Sequence, residues 1–436
     1  MPPFLQRASI LLFIGLTWGR WGFSQKADVL AIVGAHVLPL TGPQVIQNQT
    51  VLIKDGIIQQ IGPLSKVVVP KGATVVNGKG HYLMPGLADM HAHLPGAEGT
   101  QHRLDDYLRL NLACGVTSLR SMRGDPAHLR LRDSLRRTGV LSPRLYLGTP
   151  VLTRDKSFTA RKGQQLLRTY QASGYDFVKY LGGLTPAVYD SVLEQAHELG
   201  FRVAGHAPAS GLSGAIAHHQ ASIEHVEAFI AAYRQDWAQF ERHAQQMAHD
   251  TLFTCPDLFW YQAAWLQVLP AQLEQLPGLA YVAPAIRAQW AAGQLTTRAE
   301  LTGQNELSAK VAEGAAALAV YRQALRKMQR AGVPLLISPG DGAYVVPGYG
   351  MAEELKLFVA AGLTPYQALR AATYNAAWFF GEQNRRGTLE VGKQADLVLL
   401  EDNPLTDIRN ISRVTGVAVN GKWRTAAELR AGLSTR

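Results

Sequence analysis

Two cysteines in 436 residues rule out a disulfide-built scaffold. Only 17% of the residues are charged, against roughly 25% in ordinary soluble chains, which rules out a charge-rich disordered chain. No run of five like charges occurs, and aromatic residues are not interleaved with basic ones. The 43 Lys and Arg against 33 Asp and Glu, a net +10 that becomes +8 without Arg7 and Arg20, therefore make no case for nucleic-acid binding. Beyond residue 24 no stretch reaches 18 consecutive apolar residues, which excludes a membrane-spanning helix there. Several catalytic signatures are missing as well. His197-Glu198 lacks the second His of H-E-x-x-H, and there is no G-x-S-x-G elbow, P-loop or G-x-G-x-x-G fingerprint. Cys114 and Cys255 have no activating neighbours, and their apolar contexts fit core residues better than a disulfide pair.

What is present is apolar bulk, 47% of the chain, with 41 Gly and 22 Pro marking turns. The length fits two or three units of about 150 residues, or one α/β barrel of about 250 with a smaller companion. Residues 8–19, ASILLFIGLTWG, follow Arg7 and would rise only about 18 Å as a helix, too short for a bilayer core. Gly22 and Ser24 set small residues at −3 and −1 of a cleavage point before Gln25. The pattern predicts a signal peptide over 1–24, export to a periplasmic or secreted location, and no membrane span after cleavage.

From Val29 to about Met84, short Val/Ile-rich runs alternate with Gly turns and read as antiparallel strands; the same grammar returns in ADLVLLEDN and GVAVNGKWR near the other end. Residues 25–86 and 381–436 are therefore expected to build one small β-sandwich from both termini. Between them, over 87–380, eight short buried strand candidates alternate with helical stretches: GLADMHAHL, GVTSLRSM, PRLYLGTPV, YDFVKYL, FRVAGHA, ASIEHVE, DTLFTCPDL and VPLLISPGD. This is the pattern of an α/β fold with a distorted (β/α)8 TIM barrel, interrupted by a helical insertion at about 260–330.

Several of these strands end in a side chain able to serve a metal. His91 and His93 close the first at i, i+2, so both leave one face of an extended segment. Lys179 closes the fourth, His206 the fifth and His225 the sixth, and Asp341 follows the eighth. In such a barrel the carboxyl ends of the strands share one mouth. Imidazole and carboxylate suit zinc and its neighbours, and four His, one Asp and one bridging group suffice for two divalent ions. Lysine as ammonium cannot ligate. Buried beside Phe177 and Val178, Lys179 is expected to lose its proton and take up CO2 as a carbamate whose two oxygens could bridge the ions. Glu224 is expected to point away from His225 by strand alternation. Arg154 and Tyr180, just beyond the third and fourth strands, are candidates to grip a substrate carboxylate.

At these residues the chain resembles the amidohydrolase superfamily, particularly the binuclear branch of Xaa-Pro dipeptidase-like and imidazolonepropionase-related proteins. The resemblance is carried by LMPGLADMHAHL, GVTSLRSM, VKY, GHAP, SIEHVEAF and the closing TPYQALRAATYNAAWFFG…RGTLEVGKQADLVLLEDNPLTDI. It implies one ion on His91 and His93, the other on His206 and His225, a carboxylated Lys179 bridge, and Asp341 touching the first ion as general base. The usual Thr-Asp of the eighth strand is here Gly340-Asp341, and GHAP lacks the Gly that often follows His-Ala. The implied reaction is hydrolysis of a C–N bond, amide or peptide, in small substrates such as dipeptides or N-acyl amino acids. The metal-activated hydroxide would attack the carbonyl while Asp341 moves its proton to the leaving nitrogen. A mononuclear cyclic-amide hydrolase or deaminase is the nearest rival, and a catalytically silent binding protein on the same scaffold the next. Self-association is left open.

Overall fold

Two dipeptides, Asp55-Gly56 and Asn420-Gly421, set the edges of a sheet shared by the two ends of the chain. All four residues have left-handed backbones, with φ of 51° and 76° at the first pair and 49° and 77° at the second, as a two-residue type I′ hairpin requires. The computed structural model describes residues 28–96, 103–152, 157–301 and 304–433. The expected signal peptide and Arg154 lie outside the described residues.

The strands in chain order are β1 (Val29–Val37), β2 (Ile46–Lys54), β3 (Ile57–Pro63), β4 (Thr74–Asn77), β5 (Tyr82–Pro85), β6 (Leu87–Ala92), β7 (Val116–Ser121), β8 (Arg144–Leu147), β9 (Val178–Tyr180), β10 (Val203–Gly205), β11 (Ser222–Glu224), β12 (Phe253–Cys255), β13 (Leu397–Leu400), β14 (Val414–Val419) and β15 (Lys422–Thr425). Eight of them form one sheet in the order β15-β14-β13-β5-β1-β2-β3, with β4 also paired to β1. The all-antiparallel expectation for the first segment needs correction. β1 pairs β2 antiparallel but runs parallel to both β4 and β5, because the chain loops back after β3 instead of turning tightly. Leu30, Ile32, Val51, Ile53, Leu397 and Leu399 fill a core of this sheet drawn from both termini.

The rest is parallel α/β. β6-β7-β8 form one sheet and β9-β10-β11-β12 another. Single bridges extend the pairing from Gly148 to Phe177 and from Thr254 to Leu335, and Met90 N–H donates to Ile337 O at 3.0 Å. Helices Leu104–Ala113, Pro126–Thr138, Ala160–Ala172, Pro186–Glu198 and Gly211–Ala217 follow β6 to β10 in turn. Every residue of β6 is buried, as for a parallel strand covered on both faces. The eighth expected strand, around 333–338, is not a regular strand. Pro334 lies within it and Pro339 directly follows it, and a proline has no N–H to give a ladder.

Between β12 and that segment lie helices Leu258–Ala264, Pro270–Leu273, Pro284–Glu300 and Gln304–Ala331. Leu273, Leu279, Val282 and Trp290 make a small core with Tyr344 and Val346. No helix among the described residues is long and apolar enough to cross a membrane. Cys114 and Cys255 are both free thiols.

Candidate metal centre

The carboxyl ends of the parallel strands bring four imidazoles into one chain of contacts. The ring centres of His91 and His93 are 5.4 Å apart, those of His91 and His225 4.6 Å, and those of His206 and His225 4.9 Å. Nδ1 of His93 lies 2.9 Å from Oδ2 of Asp341 in hydrogen-bond geometry, across 248 positions of sequence. Lys179, only 3% exposed on β9, is close enough for its charge to act on both His91 and His225. A cavity of about 610 Å3 opens onto His206, Glu224 and His225.

Burial sets the protonation of this cluster. It pushes the imidazole of His91 well below the usual histidine range and that of His225 down to about 4, with the Lys179 charge adding to both. The same desolvation lowers Lys179 from 10.5 to about 8 against the pull of Glu224 and Asp257. Neutral imidazole is the form that donates a lone pair to a metal, and an amine freed of its proton is the form that reacts with CO2.

The structure adds a residue that the sequence reading missed. Asp257, two residues past β12, is fully buried with its Oδ2 2.9 Å from Nδ1 of His225 and 3.3 Å from Nδ1 of His91. Neither Asp257 Oδ2 nor His225 Nδ1 has a hydrogen-bond partner. His91, His225 and Asp257 thus form a group whose donor atoms lie close enough to share an ion. Burial, reinforced by Glu224 and Asp89, raises the Asp257 carboxyl well above its usual range against the pull of Lys179. These features fit a divalent ion: neutral nitrogen donors, a buried carboxylate and two orphaned polar atoms facing one another.

Glu224 does not point away from the site. It faces inward beside Ser222, in keeping with alternation along β11, and its Oε2 is 3.0 Å from Nδ1 of His91. Alternation fails one residue later, because His225 has a left-handed backbone with φ 69° that swings its ring to the same side. Neighbouring Lys179 faces the histidines, whereas Tyr180 is fully buried with its ring 5.2 Å from that of Tyr189, on the helix that follows β9, and its hydroxyl has no hydrogen-bond partner.

Gly205 shows how tightly β9 and β10 must approach to set Lys179 beside His206. Its φ is +150°, and a Cβ there would overlap the Tyr180 carbonyl, which accepts from His206 N–H at 3.0 Å. Gly205→Ala is expected to cost about 3 kcal/mol and to lower the melting temperature by several degrees, checked by calorimetry. An unchanged melting curve would show that the two strands can part without loss.

Residues 82–424 match the Amidohydrolase family. Among curated proteins, the ochratoxinase of Aspergillus niger is 40% identical over 82 residues, 18% of this chain and 16% of that protein. The dihydroorotase of Mycobacterium tuberculosis is 48% identical over 50 residues, 11% of each. The chain therefore aligns with well under two thirds of these relatives. Among solved structures, a Bifidobacterium longum protein described as a candidate prolidase has a TM-score of 0.71 at 23% identity, covering 93% of this chain and 98% of that one. A Xaa-Pro dipeptidase with methionine bound in its active site has 0.67 at 19%, covering 91% and 100%. The ochratoxinase of A. niger has 0.67 at 20%, covering 91% and 95%. At these identities the likenesses speak to the fold.

Proposed function

We propose, from the premise that the chain belongs to the amidohydrolase family and is a hydrolase of carbon–nitrogen bonds, that it cleaves the amide or peptide bond of dipeptides or N-acyl amino acids. The observation that carries this reading is the meeting of four imidazoles, buried Lys179 and Asp341 at one end of the parallel strands. In it, His91 and His93 would hold one divalent ion and His206 and His225 a second, and Lys179, as its carbamate, would add oxygen donors. Zinc is the metal its nitrogen and oxygen donors suit. Bound divalent ions supply Lewis acidity at the scissile carbonyl. Asp341, nearly half exposed at the mouth, takes a proton from the water that adds to the carbonyl carbon and returns it to the nitrogen as the C–N bond breaks. The cavity of about 610 Å3 is of a size for a small molecule, and Asp257 is a further candidate ligand.

The same proposal includes the organisation: a distorted (β/α)8 barrel over 87–380 and a β-sandwich from 25–86 and 381–436. The hydrogen bonds running from β6 round to 337 and back support the first, and the sheet shared by both ends supports the second. Export rests on residues 1–24 alone. The neighbouring dipeptidase, itself a cleaver of dipeptides, makes that substrate class the first to try.

The deciding experiment is a library of dipeptides and N-acyl amino acids offered to the zinc- and manganese-loaded protein. Hydrolysis that disappears on chelation, with close to two metals per chain by mass spectrometry, is expected. Close to one metal would favour the mononuclear cyclic-amide hydrolase or deaminase, and absence of both metal and turnover the binding protein.

A further inference from the structure

Beneath the histidines lies a buried charged assembly that the proposed reaction does not use. Arg120 of β7 and Glu224 of β11 are both inside the protein, 0% and 3% exposed. One terminal nitrogen of the guanidinium donates to both carboxylate oxygens of Glu224, at 2.8 and 2.7 Å, and the other donates to Ser222 Oγ at 3.0 Å. Its Nε donates to the carbonyl of Met90, the residue before His91, and Ser222 Oγ donates to Glu224. The planar group is stacked against Phe379 at 4.7 Å and Phe177 at 5.7 Å, which holds it in place.

We propose that Glu224 is a positioning residue of the metal centre: clamped by Arg120 and Ser222, it holds Nδ1 of His91 so that Nε2 is the nitrogen His91 offers to an ion. The inference rests on the metal-centre reading of His91 and deepens it. A carboxylate paired with arginine only accepts hydrogen bonds, so at 3.0 Å the proton of a neutral His91 sits on Nδ1 and the lone pair on Nε2. Asp257 is farther from that nitrogen, at 3.3 Å, and makes no hydrogen bond to it. Arg120 grips both the backbone of β6 just before His91 and the carboxylate that turns the His91 ring, so the strand and the side chain are fixed by one group. Stability does not demand this arrangement, since a buried ion pair is often replaced by apolar residues without loss. A carboxylate behind a liganding imidazole, by contrast, is a recurring means of fixing its tautomer and raising its basicity.

The test uses the full chain with Glu224→Gln, and the double variant Glu224→Gln/Arg120→Gln, which leaves no lone buried charge. Nitrogen-15 NMR of the metal-free wild type is expected to show His91 as the Nδ1–H tautomer. Zinc affinity, measured by competition with a chromophoric chelator, is expected to fall about 10- to 100-fold in each variant that keeps its fold by near-UV circular dichroism. Folded variants binding zinc as tightly as the wild type would overturn the proposal, as would a wild-type His91 protonated on Nε2 while zinc still binds. A wild type that binds no zinc would overturn the metal-centre reading itself.

Discussion

Asp341→Asn is expected to lower kcat by about 10²- to 10⁴-fold while leaving the fold and most of the bound metal intact. Asparagine keeps the shape of the side chain and one carbonyl oxygen, but it cannot hold a proton in transit. The surroundings argue for a fixed orientation even though the family's threonine neighbour is replaced by Gly340. Gly340 has φ 79°, and a Cβ there would press on Trp260 Cβ at 2.8 Å, so a threonine would not fit this turn. Trp260 N–H donates to Pro339 O at 3.1 Å and Gly340 N–H to Ser338 Oγ at 3.0 Å, pinning the segment just ahead of Asp341. The contact to His93 then sets the carboxylate at the mouth. Stopped-flow kinetics with metal analysis by mass spectrometry would check the prediction, and near-normal turnover would remove Asp341 from its role as base.

Lys179→Met is expected to reduce hydrolysis by at least about 10²-fold, a loss that removing an outer-shell partner can already produce. Methionine fills much of the same buried volume, so the packing around β9 should survive while the nitrogen is lost. The companion measurement uses unaltered protein: apoprotein reconstituted with zinc in CO2-free buffer should regain little activity until bicarbonate is added. Both results follow from an amine held 97% out of water, with its proton affinity lowered to about 8 by that burial. Full activity in CO2-free buffer would leave Lys179 as a plain amine and remove the bridge.

The parts of the site legible in the chain are those that follow a strand's simple geometry. His91 lies on the fully buried β6 with His93 at i+2 just past its end, Lys179 is the middle residue of β9, and His206 follows β10 directly. What escaped is what departs from that geometry or depends on distant partners. His225 and Asp257 take left-handed backbones with φ of 69° and 57°, so a period of two misplaced Glu224 and gave no sign that the aspartate after Pro256 turns inward. Arg120 sits in a motif that could be read, yet its partner lies 104 positions away and nothing local marks it as buried. In the fold, alternating strands and helices were evident, whereas the parallel pairing of β1 with β4 and β5 is a matter of long-range choice that short runs of Val and Ile do not encode. The eighth strand lost its ladder to prolines visible at 334 and 339.

The pairing of β5 with β13 has a consequence for biogenesis. Pro85 lies opposite Leu397, and Gly86 N–H, at the threshold of β6, donates to Asp396 O. β5, which runs directly into the strand that bears His91, therefore gains its second neighbour only when residues 397–400 have left the ribosome. Until then β5 presents an open edge to other nascent chains, a standing invitation to mispairing that a slow, long-range closure prolongs.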